Sequence, residues 1–322
     1  MSVVYTNKQD IPIALAVWLA SDNYDGYSSN VKTISATTLL KSVRQIVLAM
    51  RQKTNNMVTE IDILDLVRSR LGTATHDSLE KAWVNPSNLK KALRLLGYTP
   101  DVIERVVVNP TTLTNNCIPV YVEQRTTKEV NGWTISGKFD LVINHQVQDL
   151  KTTSTYSWIK GNNDAKHALQ GSIYRWLNPN IIKSSSIVIH YIFTDWSAVE
   201  AYKMNYPPIM VMPKEIELIT LANTEEFIKD KIKLIEDNLN TPESELPYCT
   251  DEDLWRDAPV FKYYKKGFVS AKSTRTFDTM AEAQQLRQSD GSVGLVVEVK
   301  GKAKACKWCS AAALCTQRLA IQ

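Results

Sequence analysis

The chain has 322 residues, of which 44% are hydrophobic and 22% charged, close to globular averages and enough for a sizeable core in one large or two modest domains. No window has the long uncharged apolar run of a membrane span, and Met1 to Asp10 lacks the charged-then-apolar pattern of a signal peptide, so a cytoplasmic protein without membrane association is expected. Five cysteines, an odd number without an export signal, argue against a disulfide framework, and a net charge of +4 does not by itself mark a nucleic-acid partner.

In chain order, Asp10 and Pro12 open a helix over 11–19, followed by a loop rich in Ser, Asn, Gly and Asp to about Asn30. Ser35 starts a helix through Met50, with Leu39, Leu40, Val43, Ile46, Val47 and Met50 at helical spacing. Further helices are predicted over 60–70, 72–83 and 86–96. The texture then turns to strands over 118–125, 133–143 and 146–151, with Asn131-Gly132 as a hairpin turn. A helix over 165–176 stops before Asn178-Pro179. Strands follow over 185–193 and within 198–211, then a helix from Pro213 or Thr224 to about Leu239. After a loop from Pro242 to Cys249, a hairpin over 260–277 turning at Lys266-Gly267, a helix over 279–288 and a strand over 294–299 form a small β-β-α-β lobe. The organisation expected is a helical region over 1–100, an α/β core over 101–245 and a C-terminal lobe with a cysteine cluster over 246–322. From Arg256 to Lys304 the chain carries ten basic against five acidic residues, either a solvated face or a phosphate-contacting one.

Two carboxylates and a lysine stand out. Asp140 closes Gly137-Lys-Phe-Asp140, and Asp149-Leu150-Lys151 follows on the next strand, where alternation puts Asp149 and Lys151 on one face. Asp140, Asp149 and a backbone carbonyl such as that of Leu150 make a hard oxygen site suited to Mg2+ or Mn2+. The Lys151 ammonium can then offset charge on a phosphate. The alternative is an ordinary charged surface hairpin, made less suitable by the apolar Leu141-Val142-Ile143 beside the acids. Three cysteines, Cys306-x-x-Cys309-x(5)-Cys315, fall within ten residues, a spacing that fits a metal centre and lacks the two matched pairs usual for zinc.

These motifs resemble the RecB-like branch of the PD-(D/E)XK nuclease superfamily over roughly 35–195. Gly137-Lys-Phe-Asp140 resembles its G-x-x-D, Asp149-Leu-Lys151-Thr-Thr its D-x-K-T, and Gln170-Gly-Ser-Ile-Tyr174 its Q-x-x-x-Y helix. Gly72-Thr-Ala-Thr-His76 resembles the helix that carries a metal-binding histidine. The resemblance implies a restriction-endonuclease-like core, a mixed sheet flanked by helices, with His76, Asp140, Asp149 and the Leu150 carbonyl on the metal, Lys151 in the chemistry, and Gln170 and Tyr174 bracing the lysine or touching DNA. Glu80 reads as a helix-surface residue and Glu123 as a runner-up carboxylate. The cysteine triplet is similar to the C-terminus of iron–sulfur nucleases of this branch, such as the AddB-type and CRISPR-adaptation nucleases. It implies a [4Fe–4S] cluster whose fourth cysteine lies upstream of the histidine motif. No cysteine stands there in this chain, so the fourth ligand is Cys249 or Cys117. Cys249, in an irregular segment, is favoured over Cys117, at the start of a strand. The implied activity is that of a phage-type DNA exonuclease in recombination or end processing, in the host cytoplasm, with DNA as substrate. A recombinase or single-strand-annealing protein and a second copy of the chain are its candidate partners. The alternatives are a sequence- or structure-specific endonuclease and a non-catalytic DNA-binding or assembly protein.

Overall fold

The computed structural model describes residues 3–21, 32–55, 58–161, 163–270 and 272–321; most of the expected loop up to Asn30 lies outside them. The elements in order are β1 (Val3–Thr6), α1 (Ile13–Ala20), β2 (Thr33–Ser35), α2 (Ala36–Leu39), α3 (Val43–Thr54), β3 (Thr59–Asp62), α4 (Val67–Val84), α5 (Pro86–Leu95), α6 (Pro100–Arg105) and β4 (Val106–Val108). They continue as β5 (Ile118–Val130), β6 (Trp133–Ile143), β7 (Gln146–Thr153), α7 (Thr155–Lys160), α8 (Asp164–Leu177), β8 (Ser186–Phe193), β9 (Val211–Glu217) and α9 (Leu221–Asn238). The C-terminal part adds β10 (Val260–Tyr264), β11 (Arg275–Phe277), α10 (Met280–Ser289), β12 (Leu295–Val299) and α11 (Gln317–Ala320). No described helix is long and apolar enough to cross a membrane.

The chain divides into two compact units that interleave in sequence: 1–40 with 56–236, and 41–55 with 237–322. The second unit therefore takes α3 from the helical N-terminal region, and the three consecutive segments read from the sequence cut across this division.

The first unit is built on a mixed seven-stranded sheet in the order β4-β5-β6-β7-β8-β9, with β2 pairing β6 off that path. β5, β6 and β7 form an antiparallel meander, β7 and β8 pair in parallel, and β9 closes the edge antiparallel to β8. One edge of β6 is shared: Thr134 to Ser136 pair with β2 in parallel, whereas Leu141 to Ile143 pair with β7. Residues 137–140 lie between the two pairings. The core comprises inward residues such as Trp133, Ile135, Phe139, Val142, Val147, Ile187 and Ile189, all at most 1% exposed, with Ile173 and Tyr174 of α8 also buried.

The sequence expectations fail in four places for local reasons. The helix expected over 35–50 is two, because Ser42 forms a capping box with Gln45 and starts α3 afresh. The helices expected over 60–70 and 72–83 are instead β3, which pairs in parallel with β1, a 3-10 turn, and one continuous helix, α4. Gly72 is no break there: a Cβ at Gly72 would come within 3.2 Å of Thr152 Oγ1, so its missing side chain brings α4 close to β7. The strand expected within 198–211 is a series of turns tied by Trp196 Nε1–H donating to Pro207 O and Ser197 N–H to Tyr206 Oη. Pro213 lies in edge strand β9, where a missing donor is tolerated.

In the second unit β10 is the middle strand of a three-stranded sheet, paired antiparallel with β11 and β12. With α10 this is the β-β-α-β lobe read from the sequence. Tyr263, fully buried, donates to Asp290 Oδ2 at 2.9 Å and ties β10 to the end of α10.

Candidate active site

The site lies where β6 leaves one neighbour for another. The β5–β6 register runs Val122↔Leu141 and Gln124↔Phe139, so Glu123 and Asp140 face each other at the one position between them that is not paired. Glu123 has φ +52°, a left-handed conformation that is uncommon for a residue with a side chain and that concentrates at functional sites. On the other edge, the Leu150 N–H of β7 donates to Asp140 Oδ2 at 3.0 Å. The carboxylate thus takes up a strand donor just beyond the β6–β7 ladder.

Helix α4 contributes His76, whose Nδ1 is 3.3 Å from Asp140 Oδ2. His76 lies one turn beyond Gly72, where the close approach to β7 occurs. Ligand atoms of His76, Glu123 and Asp140 all lie within 4.8 Å of one another, the one such metal-ready group among the described residues. Asp149, 1% exposed, lies outside that group and is held by the Lys151 ammonium at 2.6 Å and by Gln170 Nε2–H at 3.2 Å. Gln170 also donates to Tyr174 Oη at 2.8 Å. Both residues are buried on one face of α8, one turn apart. A Cβ on Gly137 would come within 2.5 Å of Leu177 Cδ1 and 3.2 Å of Tyr174 Cδ1, so a larger residue there would push α8 away from the acids.

Each acid of the site faces a cationic or ionisable partner: Lys151 for Asp149, Lys138 for Glu123 and His76 for Asp140. Burial pushes the Asp149 carboxyl up, against the charge of Lys151. Burial likewise pushes Glu123 up, against its ion pair with Lys138 at 2.5 Å. Burial also acts upward on Asp140, but the hydrogen bond and charge of His76 and the Leu150 N–H outweigh it and hold Asp140 below the usual carboxylate range. The hydrogen bond to Asp140 in turn raises His76. Two half-buried carboxylates, Glu123 and Asp140, beside one imidazole fit a hard divalent cation.

All the sequence-predicted residues of this site are brought together: His76, Asp140, Asp149, Leu150, Lys151, Gln170 and Tyr174. Glu123 is the residue that sequence reasoning undervalued. Its mark is the interruption of strand pairing and the positive φ, neither visible in a single sequence. Glu80, expected on the helix surface, is instead half-buried one turn beyond His76 and near enough to Glu123 for its charge to act on that carboxyl.

In the second unit, Cys249, Cys306, Cys309 and Cys315 all line one cavity, with Arg44, Gln45 and Leu48 of α3 and with Gln317 of α11 among its walls. No three of these sulfurs lie within 4.8 Å of one another, and none is in a disulfide. Cys117 belongs to the first unit, next to the start of β5. Gln317 exchanges two hydrogen bonds with the Cys249 backbone, at 2.9 and 3.0 Å, so the segment around Cys249 is tied to the residues just after Cys315. On the lobe, Lys262, Lys265, Lys266, Lys272 and Arg275 lie on β10, β11 and their connection. Lys265 is paired with Asp290 at 3.2 Å.

No family model and no curated protein matches the chain. Among the solved structures that match, the crystal structure of SSO0001 does so over 70% of this chain and 87% of its own, at 20% identity and a TM-score of 0.39.

Proposed function

We propose that the chain is a metal-dependent deoxyribonuclease of the PD-(D/E)XK type, with a restriction-endonuclease-like core, that hydrolyses phosphodiester bonds at DNA ends. The observation that carries this reading is the meeting of His76, Glu123, Asp140, Asp149 and Lys151, from α4, β5, β6 and β7, at one interruption of the sheet.

His76, Asp140 and Asp149 with the Leu150 carbonyl would hold Mg2+ or Mn2+, and Glu123 stands on the opposite strand as a further carboxylate. A cation there supplies Lewis acidity and makes a nearby water more acidic. The protein's own contribution is positional. Gln170 fixes Asp149 and is itself fixed by Tyr174, and Lys151 keeps an ammonium beside Asp149, where it can stabilise charge developing on a phosphate oxygen. Gly137 keeps α8 close enough for Gln170 to reach.

The cysteine cavity is read as the seat of a [4Fe–4S] cluster held by Cys249, Cys306, Cys309 and Cys315. Four thiol groups around one cavity fit a group that takes four thiolates. Cys249 lines that cavity together with the other three and is the fourth donor in this reading. The cluster's role in this reading is structural, closing the C-terminal segment onto the loop that precedes the lobe.

The test is incubation of the full-length protein with linear and closed circular DNA plus Mn2+. Loss of linear DNA with circles intact supports an end-dependent exonuclease, nicking or linearisation of circles an endonuclease, and no cleavage of either a binding or assembly protein.

A further inference from the structure

The first turn of α3 touches the cysteine centre at three points. Ser42, the N-cap, has its Oγ 3.2 Å from Cys249 Sγ. Arg44 donates from Nε to Cys315 Sγ at 3.3 Å, and Gln45 approaches Cys309 Sγ with Nε2 at 4.0 Å. Three of the four sulfurs therefore face a polar group from one short stretch of helix. The capping box leaves these groups in the right sense to donate. Ser42 Oγ accepts from the Gln45 N–H and Gln45 Oε1 accepts from the Ser42 N–H, so the serine hydroxyl proton and the Gln45 amide protons remain for sulfur.

Arg44 is the unusual member. It is 1% exposed, and its guanidinium is held on every side. Nη1 donates to Leu246 O at 2.9 Å, Nη2 pairs with Glu243, and the group stacks 5.3 Å from the Tyr248 ring. Glu243 is in turn fixed by the Thr316 N–H at 2.9 Å and the Thr316 hydroxyl at 2.6 Å. The arginine thereby joins α3, the segment before Cys249 and the segment after Cys315. A thiol is a poor acceptor and gives a buried guanidinium little in return for losing water; a thiolate is a strong, charge-assisted one.

We propose that Ser42, Arg44 and Gln45 are positioning residues for an anionic four-thiolate centre, Arg44 foremost, and that they hold its reduction potential up. This rests on the reading of the four cysteines as cluster ligands. Donors and positive charge at the ligating sulfurs favour the more negative, reduced state, because potential follows net charge and hydrogen bonding to sulfur. The exchange of one electron with a chemical reductant is the readout here; no redox reaction of the nuclease is implied.

The test uses full-length protein purified without oxygen, with iron and acid-labile sulfide counted per chain and the potential measured by titration with dithionite, followed by absorbance and EPR. Arg44→Gln is expected to shift the reduction equilibrium at least tenfold toward the oxidised form, ~59 mV for one electron. Arg44→Lys, which keeps the charge but loses the Nε donor, should fall between. Ser42→Gly, which keeps helix capping nearly intact, and Gln45→Met should each shift the potential the same way by less. If the arginine variants do not fold, these last two decide: a downward shift supports the proposal and an unchanged potential overturns it. A wild-type protein without iron and sulfide sinks the cluster reading itself. A wild-type cluster whose potential is indifferent to all four substitutions leaves that reading standing and overturns only the role of α3.

Discussion

The two centres are assembled by opposite means. The carboxylate site grows out of regular structure: adjacent strands, two helices packed close at glycines, and a ladder that opens at one position so that Glu123 and Asp140 face each other. The cysteine cavity is lined mainly by irregular segments. Cys306 lies in a 3-10 turn, Cys309 and Cys315 are each the residue just after one, and Cys249 lies in a turn region after Pro242. A sheet can hold clustered, half-buried acids because the surrounding ladder sets their geometry regardless of the ligand. A cavity walled by turns depends far more on what it holds, since ligand binding energy there is folding energy. The lesson is that removing the cation should cost the first unit its chemistry, and removing the cluster should cost the second its structure.

The largest effects test the first half of that contrast. Asp140→Ala and Asp149→Asn should each reduce Mn2+-dependent cleavage below detection with the fold intact by circular dichroism. A variant that keeps near-normal cleavage ends the site assignment.

For the cysteines the order of consequences reverses. Cys249→Ser, Cys306→Ser, Cys309→Ser and Cys315→Ser should each lose iron and visible absorbance and become readily cut by protease within 237–322. Cys117→Ser should keep colour and resistance. A brown Cys249→Ser beside a colourless Cys117→Ser reverses the ligand assignment.

Much of the first centre was legible because its residues are local: Asp140, Asp149 and Lys151 lie on neighbouring strands of a meander, and Gln170 and Tyr174 share a helix face. His76 was legible only through its motif, since nothing in the periodicity of α4 distinguishes it. What could not be read is non-local. β3 looks helical until β1, over fifty residues earlier, is known to pair with it. Glu123 is one charged residue in a long strand until the ladder opens opposite it. Ser42, Arg44 and Gln45 read as the interior of a helix, because the cysteines they face come some two hundred residues later.

Smaller effects sharpen the division of labour within the acid site. Lys151→Ala should slow cleavage about a hundredfold, the scale of losing one transition-state donor, while the half-saturating Mn2+ concentration hardly moves. Glu123→Gln should do the reverse, weakening Mn2+ about tenfold, as supporting groups at metal sites do, with the rate at saturating metal nearly kept. Titrating activity against Mn2+ for both variants separates the two roles; a shared phenotype would deny them.

His76 provides the most graded test, through pH. Its hydrogen bond to Asp140 raises the imidazole above its ordinary value of 6.5. In metal-free protein this pair contributes stability that is fully present below pH ~6.5 and is lost as pH rises through the raised value of the folded state. A cation reverses the sign, because it needs the neutral imidazole and competes with the proton. Mn2+ should therefore bind more tightly as pH rises across the same window in which the metal-free protein loses the pair. The melting temperature with and without Mn2+ should diverge progressively from about pH 6 upward. His76→Gln should flatten both slopes and, by removing the softer ligand, narrow the advantage of Mn2+ over Mg2+ in cleavage. If the wild-type stabilisation by Mn2+ is the same at pH 6 and pH 8, His76 is a partner of Asp140 alone and takes no part in holding the metal.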